Sequence, residues 1–180
     1  MSNDAVLVPL KRFDVAKDRL RQSGVSDATL VAKQLAIGVL DACRPRDVIV
    51  IGESSEIADF ARERGLESFE STATSLNEAV TLAYRSTADR YDRVFIVHGD
   101  LRYPAGLGTF IPGLGITIVT DHHGTGTNVL ILPTRLDFHF SYGPDSAHRH
   151  LDEALRLGQQ STFLRDSPWR FDVDESDDLN

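Results

Sequence analysis

The stretch Thr120–Leu132, TDHHGTGTNVLIL, carries residue types that could perform two kinds of chemistry. Asp121, His122 and His123 are consecutive metal-ligand types, in the Asp-His-His pattern used by some phosphoesterases. The next four residues, Gly124–Thr127, predict a small-residue turn that can offer backbone N–H groups and hydroxyls to a phosphate. A two-metal phosphoesterase needs further aspartates and usually a second domain, for which 180 residues leave little room. The phosphoesterase interpretation is therefore the weaker one.

Three aspartates elsewhere in the chain are candidate ligands for Mg²⁺. Asp100 ends the apolar run RVFIVHGD, and the preceding Gly99 predicts space for a ligand or metal beside the backbone. Asp172 and Asp174 are two residues apart, so in an extended segment both carboxylates lie on one side. Hard carboxylate oxygens suit Mg²⁺. Alternatives stay open, because Asp100 could belong to a turn or a helix cap and the pair to a solvated tail.

Several cations follow the first predicted strand. Lys11, Lys17 and Arg19 together could bind a polyphosphate, since ammonium, guanidinium and backbone N–H groups all stabilise negative charge. Lys17 and Arg19 could equally belong to the solvated face of a helix, whereas the end of the strand defines the position of Lys11. The segment is not a Walker A loop, because it lacks Gly-Lys-Ser/Thr and has no glycine before Gly24.

The segment Ser141–Ser146, SYGPDS, precedes a predicted helix. Gly143 allows a tight turn, and Ser146 lies where the first N–H groups of the helix are available to an anion. An ordinary capped helix start is an equally good interpretation of these residues. His148 and His150 are two residues apart on the helix, face different directions and make a poor metal pair.

Apolar runs and cap residues predict the elements that position these side chains. Strands are predicted at Ala5–Leu10, Asp47–Gly52, Arg93–Asp100, Ile116–Thr120 and Thr127–Leu132. Five helices are predicted. Two cover residues 14–24, with Asp14 as N-cap, and residues 26–40. A third runs from Ser54 or Ser55 to Arg64, a fourth begins at the capping box of Ser75 and Glu78, and the last covers residues 145–158 with Asp145 as cap. Strands that alternate with helices predict an α/β fold, with one mostly parallel sheet flanked by helices. One domain over residues 1–180 is expected, with its acidic C-terminal end extended or frayed.

Composition excludes several classes of function. A net charge of −8 argues against general nucleic-acid binding. The single cysteine, Cys43, excludes an intrachain disulfide and a cysteine-rich zinc site. Neither a membrane span nor a signal-peptide pattern is visible, so we expect no membrane partner and a cytoplasmic location.

Read together, these motifs resemble one family. The chain is similar to the phospholactate or phosphoenolpyruvate guanylyltransferases of deazaflavin coenzyme F-420 biosynthesis. The resemblance runs from residue 6 to residue 179 in the order of the family, through VPLKRFDVAKDRL, SLNEAV, HGDL, DHHGTGTNVLILP, YGPDSAHRH and RFDVDESDDL. The pair HGTGTNVL and GPDSxxRH is specific, whereas GDL and DVD alone are not.

The resemblance implies a glycosyltransferase-A-like nucleotidyltransferase fold and a set of residue roles. Asp100, Asp172 and Asp174 would hold Mg²⁺, with Lys11 and Asp100 as the catalytic residues. The residues implied to contact the phosphorylated acid or the nucleotide phosphates are Lys11, Leu76, Thr127, Gly143 and Ser146. GMP would pass from GTP to phosphoenolpyruvate, 2-phospho-L-lactate or 3-phosphoglycerate, with release of pyrophosphate. A homodimer, or contact with the next enzyme of the pathway, is a further expectation.

Two departures from the family pattern imply a changed pocket. Where the family usually has Pro and then a helix after GDL, this chain has Arg102-Tyr103-Pro104 and a Gly/Pro-rich loop. His123 occupies a position that is often Arg, which removes a permanent charge. Two alternatives remain: a nucleotidyltransferase of the same fold acting on a molybdopterin or sugar phosphate, and a non-catalytic nucleotide-binding protein. The missing glycine-rich first loop disfavours the former, and the three aspartates disfavour the latter.

Overall fold

A seven-stranded sheet forms the centre of the described residues. The computed structural model describes residues 3–17, 21–22, 27–174 and 178. The strands are β1 (Asp4–Pro9), β2 (Asp47–Gly52), β3 (Glu67–Glu70), β4 (Arg93–Val97), β5 (Ile116–Thr120), β6 (Thr127–Pro133) and β7 (Ser161–Leu164). Their order is β3-β2-β1-β4-β6-β5-β7, and β6 alone runs against its neighbours. The predicted α/β fold with a mostly parallel sheet is confirmed.

The central strands are apolar because both faces of the sheet are covered. In β1, β4 and β5 almost every side chain is buried, as expected when helices pack on both sides. Alternate residues of each strand enter two separate cores, so Val6 and Val8 pack on one face while Ala5 and Leu7 pack on the other.

Helices cover the two faces of the sheet. They are α1 (Ala28–Ala42), α2 (Ser55–Arg62), α3 (Leu76–Thr87) and α4 (Ser146–Arg156), followed by a short 3₁₀ helix at Pro168–Arg170. The predicted caps at Ser54 and Ser75 are confirmed, since their hydroxyls accept from the N–H groups of Ile57 and Glu78. Among the described residues, no helix has the length and apolar run that a membrane crossing requires.

One predicted helix start is wrong, and one predicted cap makes no capping bond although its helix, α4, begins at the predicted place. Asp14 caps no helix: its carboxylate binds Arg12, and a turn continues to Lys17, whose φ is +62°. Arg19 and Gly24 lie outside the described residues. Asp145 has a left-handed backbone and makes no capping bond, because its carboxylate binds His148 Nδ1 at 2.7 Å.

Strands β3 and β7 were not predicted from the sequence. Each has only four residues at an edge of the sheet, where partly exposed positions break the apolar pattern that identifies central strands. They widen the sheet without contributing to the central crevice. The crevice lies where strand order reverses between β1 and β4, so side chains after both strands meet at one edge.

Candidate active site

Three aspartates converge at the carboxyl edge of β1 and β4. One carboxylate oxygen each of Asp100, Asp172 and Asp174 lies within 4.8 Å of the other two. We call these three residues the acidic triad. Asp100 follows β4, as predicted, whereas the other two come from the C-terminal segment of the chain. Hard oxygen ligands at this spacing could share one divalent cation.

Backbone pairing brings the C-terminal segment to Asp100. Leu101 and Asp172 form an antiparallel bridge, and the N–H of Val173 donates to the carbonyl of Asp100 at 3.1 Å. Val173 is buried against Ala28 of α1. Because side chains alternate in an extended segment, Asp172 and Asp174 both face the triad while Val173 faces the core. The predicted same-side geometry of the two aspartates is confirmed.

Asn128 on β6 orients this segment further. Its amide nitrogen lies within 3.3 Å of the carbonyls of Trp169 and Arg170 and of the Asp172 carboxylate. Asn128 is itself 3% exposed. Asn128 was not among the predicted site residues, although it directly follows the Gly-Thr-Gly-Thr turn. An amide in a buried apolar strand was the available signal, since buried polar groups need partners.

Negative charge at the triad is only partly compensated. Burial and the neighbouring charges of Asp100 and Asp174 raise the pKa of Asp172 above its ordinary value. Among the described residues, the buried Oδ1 of Asp100 has no hydrogen-bond partner. A buried carboxylate oxygen without a donor is costly unless a ligand or cation completes it.

Among the described residues, Lys17 places a cation against the triad. Its ammonium lies 2.5 Å from Asp100 Oδ2 and 3.1 Å from Asp174 Oδ1, and its side chain is 8% exposed. Burial lowers the pKa of Lys17, but the carboxylates of Asp100 and Asp174 outweigh burial and raise it overall. The solvated-helix alternative for Lys17 is therefore wrong. The left-handed backbone conformation of Lys17 turns the chain at this residue, whereas a right-handed helix through Lys17 would not turn there.

A cavity of about 730 Å³ opens beside the triad. It runs from Lys17, Asp100 and Asp174 past the ends of β1 and β2 to the start of α3, where Leu76 lies. Lys11 is exposed at the cavity wall and so keeps its charge available. Gly99 also lines the cavity, and Leu10 packs where its Cβ would lie. The approach of a ligand or metal to its backbone stays a prediction.

The Asp-His-His stretch forms no metal site among the described residues. Asp121 Oδ1 accepts from the N–H of Thr125 at 2.9 Å, and a Cβ on Gly126 would collide with the same carboxylate. Asp121 thus shapes the turn in which it lies. His122 stacks on Phe171, and its Nδ1 lies 3.8 Å from Asp172. The turn therefore flanks the triad.

Thr127 and Ser146 lie together in a buried hydrogen-bonded group. Each is 2% exposed, and the Ser146 hydroxyl lies 3.1 Å from the Thr127 hydroxyl. His150 Nε2 accepts from the N–H of Ser141, so its Nδ1 carries the proton and donates to Thr127 at 3.0 Å. Burial lowers the pKa of His150 to about 4, so the ring is neutral at pH 7.

The structure thus places the predicted substrate residues in two groups. Lys11 and Leu76 line the cavity, whereas Thr127, Gly143 and Ser146 lie outside its described lining. Gly143 has φ +117°, with open space where a side chain would be. Their roles as substrate contacts stay predictions.

The comparisons with known proteins now decide the family. The family model described as "Guanylyl transferase CofC like" matches residues 4–180. The chain belongs to this guanylyl transferase family. One relative, a phosphoenolpyruvate guanylyltransferase of Sphaerobacter thermophilus, is 30% identical over 96% of this chain and 89% of its own. Another of that name, from Thermobaculum terrenum, is 26% identical over 98% of this chain and 81% of its own.

A solved structure agrees with this membership at the level of the fold. A nucleotidyl transferase from Methanothermobacter thermautotroptrophicus superposes with a TM-score of 0.67 at 14% identity, covering 99% of this chain and 94% of that one. The protein is therefore a guanylyl transferase with a nucleotidyltransferase fold. The loop from Arg102 to Gly115, predicted as a departure from the family pattern, contains turns and no helix.

Proposed function

We propose that this guanylyl transferase moves GMP from GTP to the phosphate of a small phosphorylated acid and releases pyrophosphate. Phosphoenolpyruvate is the first acceptor to test, since relatives that match nearly the whole chain are named phosphoenolpyruvate guanylyltransferases. The same family membership supports a place in the biosynthesis of coenzyme F-420. 2-Phospho-L-lactate and 3-phosphoglycerate are the alternative acceptors. A cytoplasmic location, and a homodimer or contact with the next enzyme, stay predictions.

The acidic triad beside the cavity is the observation that supports this proposal most. A transferase that brings two polyanions together must neutralise their charge at the point where they meet. The triad lies at the edge where β1 and β4 end, and a cavity of about 730 Å³ opens from it. A pocket of that size suits a nucleotide.

The donor set suits Mg²⁺. Asp100, Asp172 and Asp174 would hold the ion, since all three supply carboxylate oxygens and the buried Asp100 Oδ1 has no partner among the described residues. The ammonium of Lys17 already lies against two of the three, which shows that the site accommodates positive charge. Bound Mg²⁺ would neutralise phosphate charge and polarise the phosphoryl group under attack.

In the proposed reaction a phosphate oxygen of the acid attacks the α-phosphorus of GTP. The new P–O bond forms as the bond from the α-phosphorus to the bridging oxygen breaks, and pyrophosphate leaves with that electron pair. No side-chain base is required, because the attacking phosphate is already ionised. Lys11 at the cavity wall and Lys17 at the triad would offset the charge of the two substrates, and positioning would supply much of the rate.

The acceptor is expected at the three predicted residues that lie outside the cavity lining. Thr127, Gly143 and Ser146 would hold its acid end through hydroxyls, a close backbone approach and the start of α4. The positive φ of Gly143 favours glycine there. The N–H groups of Ser146 and Ala147 already donate to the carbonyls of Gly143 and Thr125, so the acid would meet the hydroxyls and the backbone of Gly143.

The test is a pyrophosphate-release assay in which each of the four ribonucleoside triphosphates is combined with each of the three acids. The proposal expects release with GTP plus one acid, dependence on divalent metal, and a guanylylated acid by mass spectrometry. Pyrophosphate release that does not depend on any of the acids but requires a sugar phosphate or molybdopterin would contradict the choice of acceptor. No release with any pair would contradict the reaction itself.

A further inference from the structure

Tyr142 carries a buried hydroxyl that the fold leaves without a partner. The side chain is 8% exposed, and among the described residues its hydroxyl makes no hydrogen bond. Burial raises the pKa of Tyr142, so the group stays protonated and keeps a proton to donate. A tyrosine hydroxyl that serves packing alone usually finds an acceptor or is replaced by phenylalanine.

Tyr142 is held between the cavity and the predicted acceptor residues. Its ring lies 5.4 Å from that of His98, which lines the cavity, and 4.8 Å from that of His150, which binds Thr127. The buried Nε2 of His98 also has no partner among the described residues. The two side chains that carry these unsatisfied atoms are therefore neighbours.

The position of Tyr142 is set by its backbone. Its N–H donates to Asn77 Oδ1 at 2.6 Å, and its carbonyl accepts from Asn77 Nδ2 at 3.2 Å. Asn77 follows Leu76 in the first turn of α3, at the other end of the cavity lining. These two bonds fix the backbone from which the Tyr142 side chain projects, before any ligand arrives.

We propose that the Tyr142 hydroxyl, with His98 beside it, binds an anionic oxygen of the phosphorylated acid. The inference rests on the proposed function and names substrate-contacting residues beyond those predicted from the sequence. Because the hydroxyl is buried in the free protein, the proposal requires that the His98 ring move from its contact with Tyr142 when the acid binds. Binding then gives the hydroxyl the acceptor that it lacks in the free protein.

Tyr142→Phe tests the proposal, because it separates ligand binding from packing. Removing an unsatisfied buried hydroxyl does not destabilise the ligand-free protein, so its unfolding temperature without ligand should stay the same or rise. Loss of a hydrogen bond to a charged oxygen should raise the KM for phosphoenolpyruvate roughly ten- to a hundredfold. The KM for GTP should stay within about twofold, and calorimetric titration with phosphoenolpyruvate should show the same loss of affinity.

Tyr84→Phe is the matched control. Its hydroxyl is satisfied, donating to the carbonyl of Pro133 at 2.7 Å and accepting from the N–H of Leu136 at 3.0 Å. This variant should unfold at a lower temperature and keep the wild-type KM for the acid. His98→Leu, as a second variant, should also raise the KM for phosphoenolpyruvate.

Three results for Tyr142→Phe would overturn the inference: an unchanged KM for the acid, an equal loss for GTP, or a fall in unfolding temperature like that of Tyr84→Phe. A wild-type protein that transfers no GMP would instead overturn the proposed function, so the two failures are distinguishable.

Discussion

The three carboxylates of the acidic triad lie at positions where they reduce the stability of the folded protein. Three carboxylates share a small space, and the pKa of Asp172 is raised by burial and by its two acidic neighbours. Lys17 compensates two of them, and Asp100 Oδ1 has no partner among the described residues. Such an arrangement is expected where the ligand supplies the missing interactions, because function and stability conflict at binding sites.

We expect Asp172→Asn to lower turnover by about a hundredfold or more, since it weakens the proposed metal site. The same change should raise the unfolding temperature in EDTA, because it removes a buried like charge without changing side-chain size. Guanylyl transfer, thermal unfolding and Mn²⁺ titration measure the three consequences. Asp152→Asn, which alters an exposed carboxylate on α4, is the control and should change none of them. Near-normal turnover in Asp172→Asn would mean that the ligands are wrongly assigned.

His122→Ala and His123→Ala should leave the number of bound Mn²⁺ ions unchanged. The two rings lie beside the triad, tilted by 42° with their centroids 3.7 Å apart, so we expect a loss of acceptor affinity of roughly three- to tenfold. Titrations with Mn²⁺ and with phosphoenolpyruvate distinguish the two effects, and the exposed His148→Ala serves as control. If either variant lost stoichiometric metal, the Asp-His-His stretch would have to be a ligand set after all.

At the scale of elements, one histidine ties α4 to β6 and to the segment before the helix. His150 accepts from Ser141 N–H and donates to Thr127 on β6, and both bonds need a neutral ring with its proton on Nδ1. A second proton, on Nε2 of His150, would place two N–H groups opposite each other, that of the ring and that of Ser141. The position of α4, and with it that of Ser146, therefore depends on the protonation state of this ring.

The free energy of unfolding should fall as pH falls from 6.5 towards 4 because of His150. Burial first, then the charges of His98 and Arg149, lower its pKa from 6.5 to about 4. Between those values the unfolded chain binds more protons than the folded one, which costs up to about 3 kcal/mol of stability at the acid end. Urea unfolding at several pH values checks this. The stability gap between wild type and His150→Gln should shrink on acidification, and a constant gap would refute the assignment.

At the scale of the whole molecule, the end of the chain closes the site begun near its start. The C-terminal segment crosses β6 and returns two aspartates to Asp100. Trp169, the only tryptophan of the chain, is 5% exposed and donates from its indole nitrogen to the carbonyl of Ala105. Its fluorescence therefore reports whether this segment is docked.

Asn128→Ala should loosen the C-terminal segment while the sheet stays folded. It removes the donor to two carbonyls and to Asp172, at a cost of about 1–3 kcal/mol. We expect red-shifted tryptophan emission and weaker Mn²⁺ binding. Asn3→Ala, which loses a bond to the carbonyl of Arg90 on the exposed amino end, should show neither change. Unaltered emission and Mn²⁺ affinity in Asn128→Ala would show that the backbone bridge alone holds the segment.

The sequence by itself determined the central sheet, the caps of α2 and α3 and the family. Runs such as VFIV cannot be solvated and cap residues act within one turn, so both signals are local. It also identified Asp100, because the carboxyl end of a parallel strand is a known place for ligands. The short edge strands β3 and β7 escaped prediction because their apolar pattern is incomplete.

Only the tertiary structure decided which side chains share a site. The pairing of Leu101 with Asp172, the turn that sends Lys17 to the triad and the unsatisfied hydroxyl of Tyr142 all join segments distant in sequence. No periodicity or cap encodes such contacts, since they depend on how both cores pack and on where each buried polar group finds a partner. Lys17, whose sequence spacing also fits the solvated face of a helix, is thus the buried cation beside three aspartates.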